Sequence, residues 1–230
     1  MARETLVLHE VDMGTNPTEG LKPLNIKCTS TACADGLHCF LLTKKMKQNG
    51  PSGRCRSCGV QLVDWARLFR KDLRDATYTL ESLKHELIRH HFWHIPISVF
   101  AVNYARRKGR LQLRDAARKQ IEHAVGRIAH PREGQQTARE TNPHANAIHY
   151  SQHATASCCR RCVEEWHGIP RDRELTAEEI DYLTELAMLY LTSRLPDLAE
   201  GPIYVPSLRG AGASDSPATP NSETESTHAH

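Results

Sequence analysis

The stretch His149-Tyr-Ser-Gln-His153-Ala-Thr-Ala-Ser157-Cys158-Cys159-Arg-Arg-Cys162-Val-Glu-Glu-Trp166-His167 governs how the rest of the chain is read. It sets three cysteines and three histidines within nineteen residues, a concentration of soft ligands that points to metal or thiol chemistry. Ser157 is an N-cap residue type and Gly168 a helix-stop, so a helix is predicted over 158–167. At about 100° per residue, Cys158, Cys159, Cys162 and Trp166 fall within roughly a third of its circumference. His149 and His153 arrive from the preceding segment.

Three chemistries fit this pattern. His149 or His153 can join two or three of Cys158, Cys159 and Cys162 around a closed structural zinc, sealed by Trp166. The same ion can keep one position open to water, with Glu164, Glu165 or a histidine moving the proton, as in a metal-dependent hydrolase of nuclease type. Without metal, Cys159-Arg-Arg-Cys162 at a helix start is a dithiol acidified by the helix dipole and two guanidinium groups. A nucleobase deaminase is excluded, because Ala154 and Thr155 follow His153 where its His-x-Glu acid belongs.

A second cysteine group lies upstream. Cys55-Arg-Ser-Cys58-Gly59 is a zinc knuckle, whose turn aims two thiolates at one ion. Two more ligands come from Cys28, Cys33, His38 and Cys39, giving a zinc-ribbon or treble-clef-like module with the Lys-rich segment around 44–53 as its connecting loop. The cofactor implied at both groups is zinc.

Between the groups, 64–96 has helical periodicity, with Trp65, Leu68, Phe69 and Leu73 on one face and Thr79 placed to cap Leu80, Leu83, Leu87 and Ile88. Glu86, His90 and His94 recur at i, i+4 and i+8, a stripe able to chelate one ion. Residues 98–127 continue as one or two helices capped by Ser98 and broken at Gly109. There Arg106, Arg107, Lys108, Arg110, Arg114 and Arg118 form a basic run suited to the phosphates of DNA or RNA. The competing account pairs that run internally with 174–200, where seven acids stand against Arg194 alone. Thr176-Ala-Glu-Glu179 is a capping box opening a final helix that ends near Pro196.

The string from Gln152 to Pro170, with Arg-Asp-Arg-Glu-Leu-Thr-Ala-Glu-Glu-Ile-Asp-Tyr182 behind it, resembles the bacterial DUF4186 family of uncharacterised proteins over roughly residues 142–192. The resemblance implies a bacterial origin and a shared domain. It brings no catalytic residue with it.

The bounds agree with a small intracellular protein. The chain has 230 residues and net charge +3; the segment from Arg209 carries −2, leaving a mild +5 on residues 1–208. Met1 is followed by neither a basic start nor an apolar run, and no apolar stretch approaches the ~18 residues that span a bilayer. A reducing, cytoplasmic setting therefore favours ligation over disulfides. The expected architecture is mainly α: residues 1–60 with a weak strand near 6–11 and the zinc module, 61–205 as a helical Cys/His-rich domain with a polar loop at 128–147, and 206–230 as a disordered tail. The expected function is a zinc-binding module acting on nucleic acid, with the hydrolase and the thiol-disulfide protein as alternatives.

Overall fold

The computed structural model describes residues 26–49, 53–129 and 145–206. The expected strand near 6–11, most of the polar loop at 128–147 and the tail from 207 lie outside them. Among the described residues the chain is mainly helical, with no strand and only two isolated bridges, Ala32 with Leu37 and His38 with Glu86. Its helices are α1 (Lys44–Asn49), α2 (Trp65–Leu68), α3 (Ala76–Lys84), α4 (Leu87–His94), α5 (Val99–Val125), α6 (Ala147–Ala154), α7 (Arg160–His167) and α8 (Ala177–Arg194). The segment expected as a connecting loop at 44–53 thus begins as the short α1.

The segment 64–96 is helical as expected, but its helices begin at other residues than the expected cap. Asp64 accepts from the Arg67 amide to start α2, and Asp72 accepts from Arg74 to start a 3-10 turn at Leu73–Asp75. Short polar side chains that bind nearby amides start helices afresh. Thr79, read as a cap, is instead buried inside α3. Glu86 then leaves the helical region and α4 begins after it, so Glu86, His90 and His94 do not form a stripe.

Ser98 accepts from the Ala101 amide and opens α5 as expected. Gly109 interrupts α5 at φ 64°, ψ 173°, a conformation essentially reserved for glycine. A Cβ there would lie 2.2 Å from the Gly201 backbone. The amides freed by the break are used: Arg110 donates to the Ala199 carbonyl at 2.8 Å and Leu111 to the Glu200 carbonyl at 3.1 Å. The chain after α8 therefore docks on the kink.

The capping box of α8 forms in both directions, Thr176 accepting from the Glu179 amide and Glu179 from the Thr176 amide. α4, α5, α6 and α8 pack around Ile88, Phe92, Leu113, Ala117, Ile148, Tyr190 and Leu191. Two arginines, Arg160 buried and Arg194 half-buried, satisfy carbonyls that the helices leave open. Arg194 donates to the carbonyls of Phe92, Trp93 and Ile95 at the end of α4, and Arg160 to those of Val125, Pro170 and Arg173. A further core joins the N-terminal region to α7: Phe40, Cys55, Val63 and Leu68 pack against Leu83, Cys162 and Trp166. Burying Phe40 fully contributes about 2–3 kcal/mol.

Candidate metal centres

Two groups of ligand atoms converge. The first is Cys33, His38, Cys55 and Cys58, whose donor atoms all lie within 4.8 Å of one another. Cys33 occupies a 3-10 turn closed by Gly36, and the knuckle turns at Gly59, which has φ +76°. The Cys33 and Cys55 sulfurs are 3.8 Å apart, which matches the edge of about 3.8 Å expected when two thiolates bind one zinc at about 2.3 Å in a tetrahedron. Cys58 Sγ lies 3.4 Å from His38 Nδ1. Burial opposes ionisation of Cys55, but bonds from the Cys58, Cys39 and Ser57 backbone and from His38 bring its thiol down to about 6. A thiolate is ready there for a cation.

Of the four upstream candidates, the structure brings Cys33 and His38 together with Cys55 and Cys58. Cys28 and Cys39 do not join this group. His38 and Cys39 are neighbours in an extended segment, so their side chains leave on opposite sides. Cys39 is buried and its thiol contacts the Cys28 carbonyl at 3.3 Å. Burial pushes that thiol up, and the Glu86 charge adds to the shift.

The second group is Cys158, Cys159 and Cys162, their sulfurs again within 4.8 Å of one another. The predicted helix starts late. Ala156 takes φ 57°, Ser157 contacts Thr155 Oγ1 instead of capping, and Cys159 becomes the N-cap of α7. Cys158 and Cys159 thus stand on the turn before the helix, and Cys162 faces them from its first turn. Gly168 closes α7 in the left-handed conformation, as expected. His167 fixes the turn from the far end of α7, its Nε2 donating to the Thr155 carbonyl at 2.9 Å while Tyr182 stands 3.4 Å from Nδ1.

The organising residue of this centre is Arg89. Its guanidinium is buried and makes contacts at 2.9 Å with Cys162 Sγ, 3.6 Å with Cys158 Sγ, 2.7 Å with the His153 carbonyl and 3.1 Å with Glu86 Oε2. Trp166 Nε1 donates to the same Glu86 oxygen at 2.8 Å. Hydrogen bonds from Cys159 and Cys162, with Arg89 beside them, hold the Cys158 thiol well below its ordinary value; the two donor thiols are correspondingly raised. The shorter Arg89 contact is nevertheless to Cys162, at 2.9 Å against 3.6 Å to Cys158. Arg89 has a sequence signature only in hindsight: it is a cation on the apolar stripe of Ile88 and Phe92.

His149 and His153 come together without joining the thiols. One turn apart on α6, their rings are 4.6 Å from each other, and His153 stacks on Phe92 at 4.6 Å. Burial holds both neutral, with values pushed down to about 4. Their place on the α6 face that meets α4 explains why they leave the ligand set. His90 and His94 stack at 4.0 Å on α4, while Glu86 turns inward to Arg89 and Trp166.

The two centres share a seam. His38 donates its amide to the His85 carbonyl at 2.7 Å and accepts from the Leu87 amide at 2.9 Å, straddling Glu86. A candidate ligand of the first group is therefore bridged through its backbone to the residue that orients Arg89 in the second.

The basic run lies along α5, largely engaged within the molecule. Arg107 reaches the Val205 and Pro206 carbonyls, Arg110 the Leu198 carbonyl, Arg114 pairs with Glu185 and Arg118 with Asp181 and Glu122. Lys108 lies over the Tyr104 ring, and Arg106 is exposed with its carbonyl accepting from Ile203. No helix among the described residues is long and apolar enough to cross a membrane.

A family model, Domain of unknown function (DUF4186), matches residues 77–192. The matched span includes α4 to α7 and all of the second centre, and excludes the first. No solved structure matches the chain.

Proposed function

Since the chain belongs to the DUF4186 family, whose description carries no activity, its function is read from its own side chains, and we propose that it is a zinc protein with two centres of unlike duty. The first, Cys33, His38, Cys55 and Cys58, is a closed structural site that folds the N-terminal region onto the helical domain. The second, Cys158, Cys159 and Cys162, holds zinc through three thiolates and leaves one position to another donor, so ligand exchange belongs there.

The observation that carries this reading is the convergence of three sulfurs within 4.8 Å beneath a buried guanidinium. Thiolates that close suit one shared ion, whereas an iron–sulfur cluster distributes its cysteines over several irons. Arg89 offsets part of the negative charge that three thiolates leave around a divalent cation and donates to the sulfurs from outside, as surrounding groups commonly do at metal sites. Three thiolate donors blunt the Lewis acidity that hydrolysis requires. Glu164 is paired with Arg171 and Glu86 with Arg89, so neither supports a proton-carrying role. The internal partners of Arg107, Arg110, Arg114 and Arg118 likewise leave the nucleic-acid surface less supported than the metal centres.

Elemental analysis of the full chain, expressed with zinc, tests the proposal. About two zinc ions per chain are expected. Cys58→Ser and Cys162→Ser should each remove one and leave the other. Unchanged metal content in Cys162→Ser would overturn the second centre.

A further inference from the structure

We propose that Cys28, contributed from outside the family-matched span, is the fourth thiolate of the second centre and closes it over Cys158, Cys159 and Cys162. The inference rests on the zinc reading above and assigns the donor that the reading leaves open.

Four observations carry it. Cys28 takes no part in the first centre, although it precedes Cys33 closely in sequence. It sits on a turn held at both ends, Lys27 donating to Ser30 Oγ and Ser30 to the Lys27 carbonyl, each at 2.9 Å. That turn is tied down where the two centres meet, because Cys39 Sγ contacts the Cys28 carbonyl at 3.3 Å and Cys39 follows His38. Cys28 itself is half-buried against the core that contains Ile88 and Phe92, the neighbours of Arg89 in α4. Its electrostatic surroundings agree: burial raises the thiol to about 11, Arg89 opposes the rise, and Cys158, Cys162 and Glu86 add to it. The geometric link runs through Glu86: His38, next to the Cys39 that contacts Cys28, is bridged to Glu86, and Glu86 holds the guanidinium that meets Cys162 and Cys158.

The donor set also has a chemical logic. A centre with three thiolates prefers a fourth soft ligand, and thiophilic d10 cations such as zinc and cadmium take four sulfurs in a tetrahedron. Cys28 lies outside the 4.8 Å group of three sulfurs. Ligation therefore requires the Lys27–Ser30 turn to close on the ion, with the thiol losing its proton to solvent as the sulfur–metal bond forms. A fourth ligand on a short turn is more readily displaced than three anchored around α7. The resting centre is then closed and opens by release of Cys28.

Cadmium NMR on the full-length protein loaded with cadmium alone tests this. Two resonances are expected, one of which Cys58→Ser abolishes and so assigns to the first centre. Cys28→Ser should move the other resonance upfield, as oxygen replaces sulfur, and leave the first in place. A second resonance unmoved in Cys28→Ser would overturn Cys28 as a ligand while the two-centre reading stands. A wild-type spectrum with only the resonance that Cys58→Ser removes would sink both. A second measurement needs no variant: alkylation of the wild type, read by mass spectrometry, should spare Cys28 when cadmium is bound and modify it after chelation. Equal modification in the two states would also overturn the assignment.

Discussion

Arg89 is a buried cation whose partners are a carboxylate, a carbonyl and two sulfurs, so its removal strands charge instead of merely emptying space. Arg89→Ala should destabilise the fold by about 3–5 kcal/mol, the range for breaking a buried pair on one side, measured by urea unfolding. Arg89→Lys retains the charge but cannot reach Glu86, Cys158 and Cys162 together, and should recover only part of the loss. His153 gives a different residue-level expectation. Its value is depressed to about 4 in the fold, against about 6.5 when unfolded. Between those values the unfolded chain binds the extra proton, so stability is present above about pH 6.5 and falls as pH drops toward 4. His153→Phe keeps the stack on Phe92 and should flatten that dependence by one proton, about 1.4 kcal/mol per pH unit at most, in unfolding free energies measured across the window. An unchanged slope would show that His153 does not titrate on unfolding. Neither role is legible in the sequence, because a lone Arg or His on a helix looks the same whether it meets water, a ring or a thiol.

At the level of elements, legibility followed local chemistry. The capping box at Thr176 and Glu179, the Ser98 cap, the Gly168 stop and the Cys55-x2-Cys58-Gly59 turn each depend on residues a few positions apart, and each forms. What escaped was decided by distant contacts or by caps competing with periodicity: Asp72 divided the segment read as helical at 64–96, and Ser157 found Thr155 in place of the amides it was expected to cap. The break in α5 was legible at Gly109, but its purpose was not, since the docking segment at 199–203 is far away in the chain. Gly109→Ala should therefore cost more than a helix glycine normally would. It combines a backbone conformation closed to alanine, itself about 1–3 kcal/mol, with a Cβ pressed on the Gly201 backbone. A melting temperature lowered by less than that of an Ala exchange at the exposed Arg106 would contradict this account.

For the whole molecule, the two cysteine groups were visible in the sequence and their relation was not. Spacing marks a Cys-x2-Cys, but it does not say that His38 is zipped to the strand-like turn at Glu86, or that Glu86 in turn orients Arg89 toward Cys162. That relation is also why the upstream group could not be chosen by counting: Cys39 is adjacent to His38 yet its thiol meets the Cys28 carbonyl. The N-terminal module and the family-matched domain are fastened most visibly by three rings, Phe40, Trp65 and Trp166, with centroids 5.2–5.7 Å apart.

This arrangement has a timetable. Phe40 and Trp65 leave the ribosome long before Trp166, and at 5–20 residues per second the delay is on the order of ten seconds. Throughout that interval the nascent chain carries two large aromatic side chains without their partner, while Cys33, His38, Cys55 and Cys58 have already been made. On the proposed zinc reading, capture of the ion by the first centre is the event that holds the early segment in order until α7 emerges, and a shortage of zinc would then act during synthesis, on unfinished chains, before any finished protein had lost a ligand.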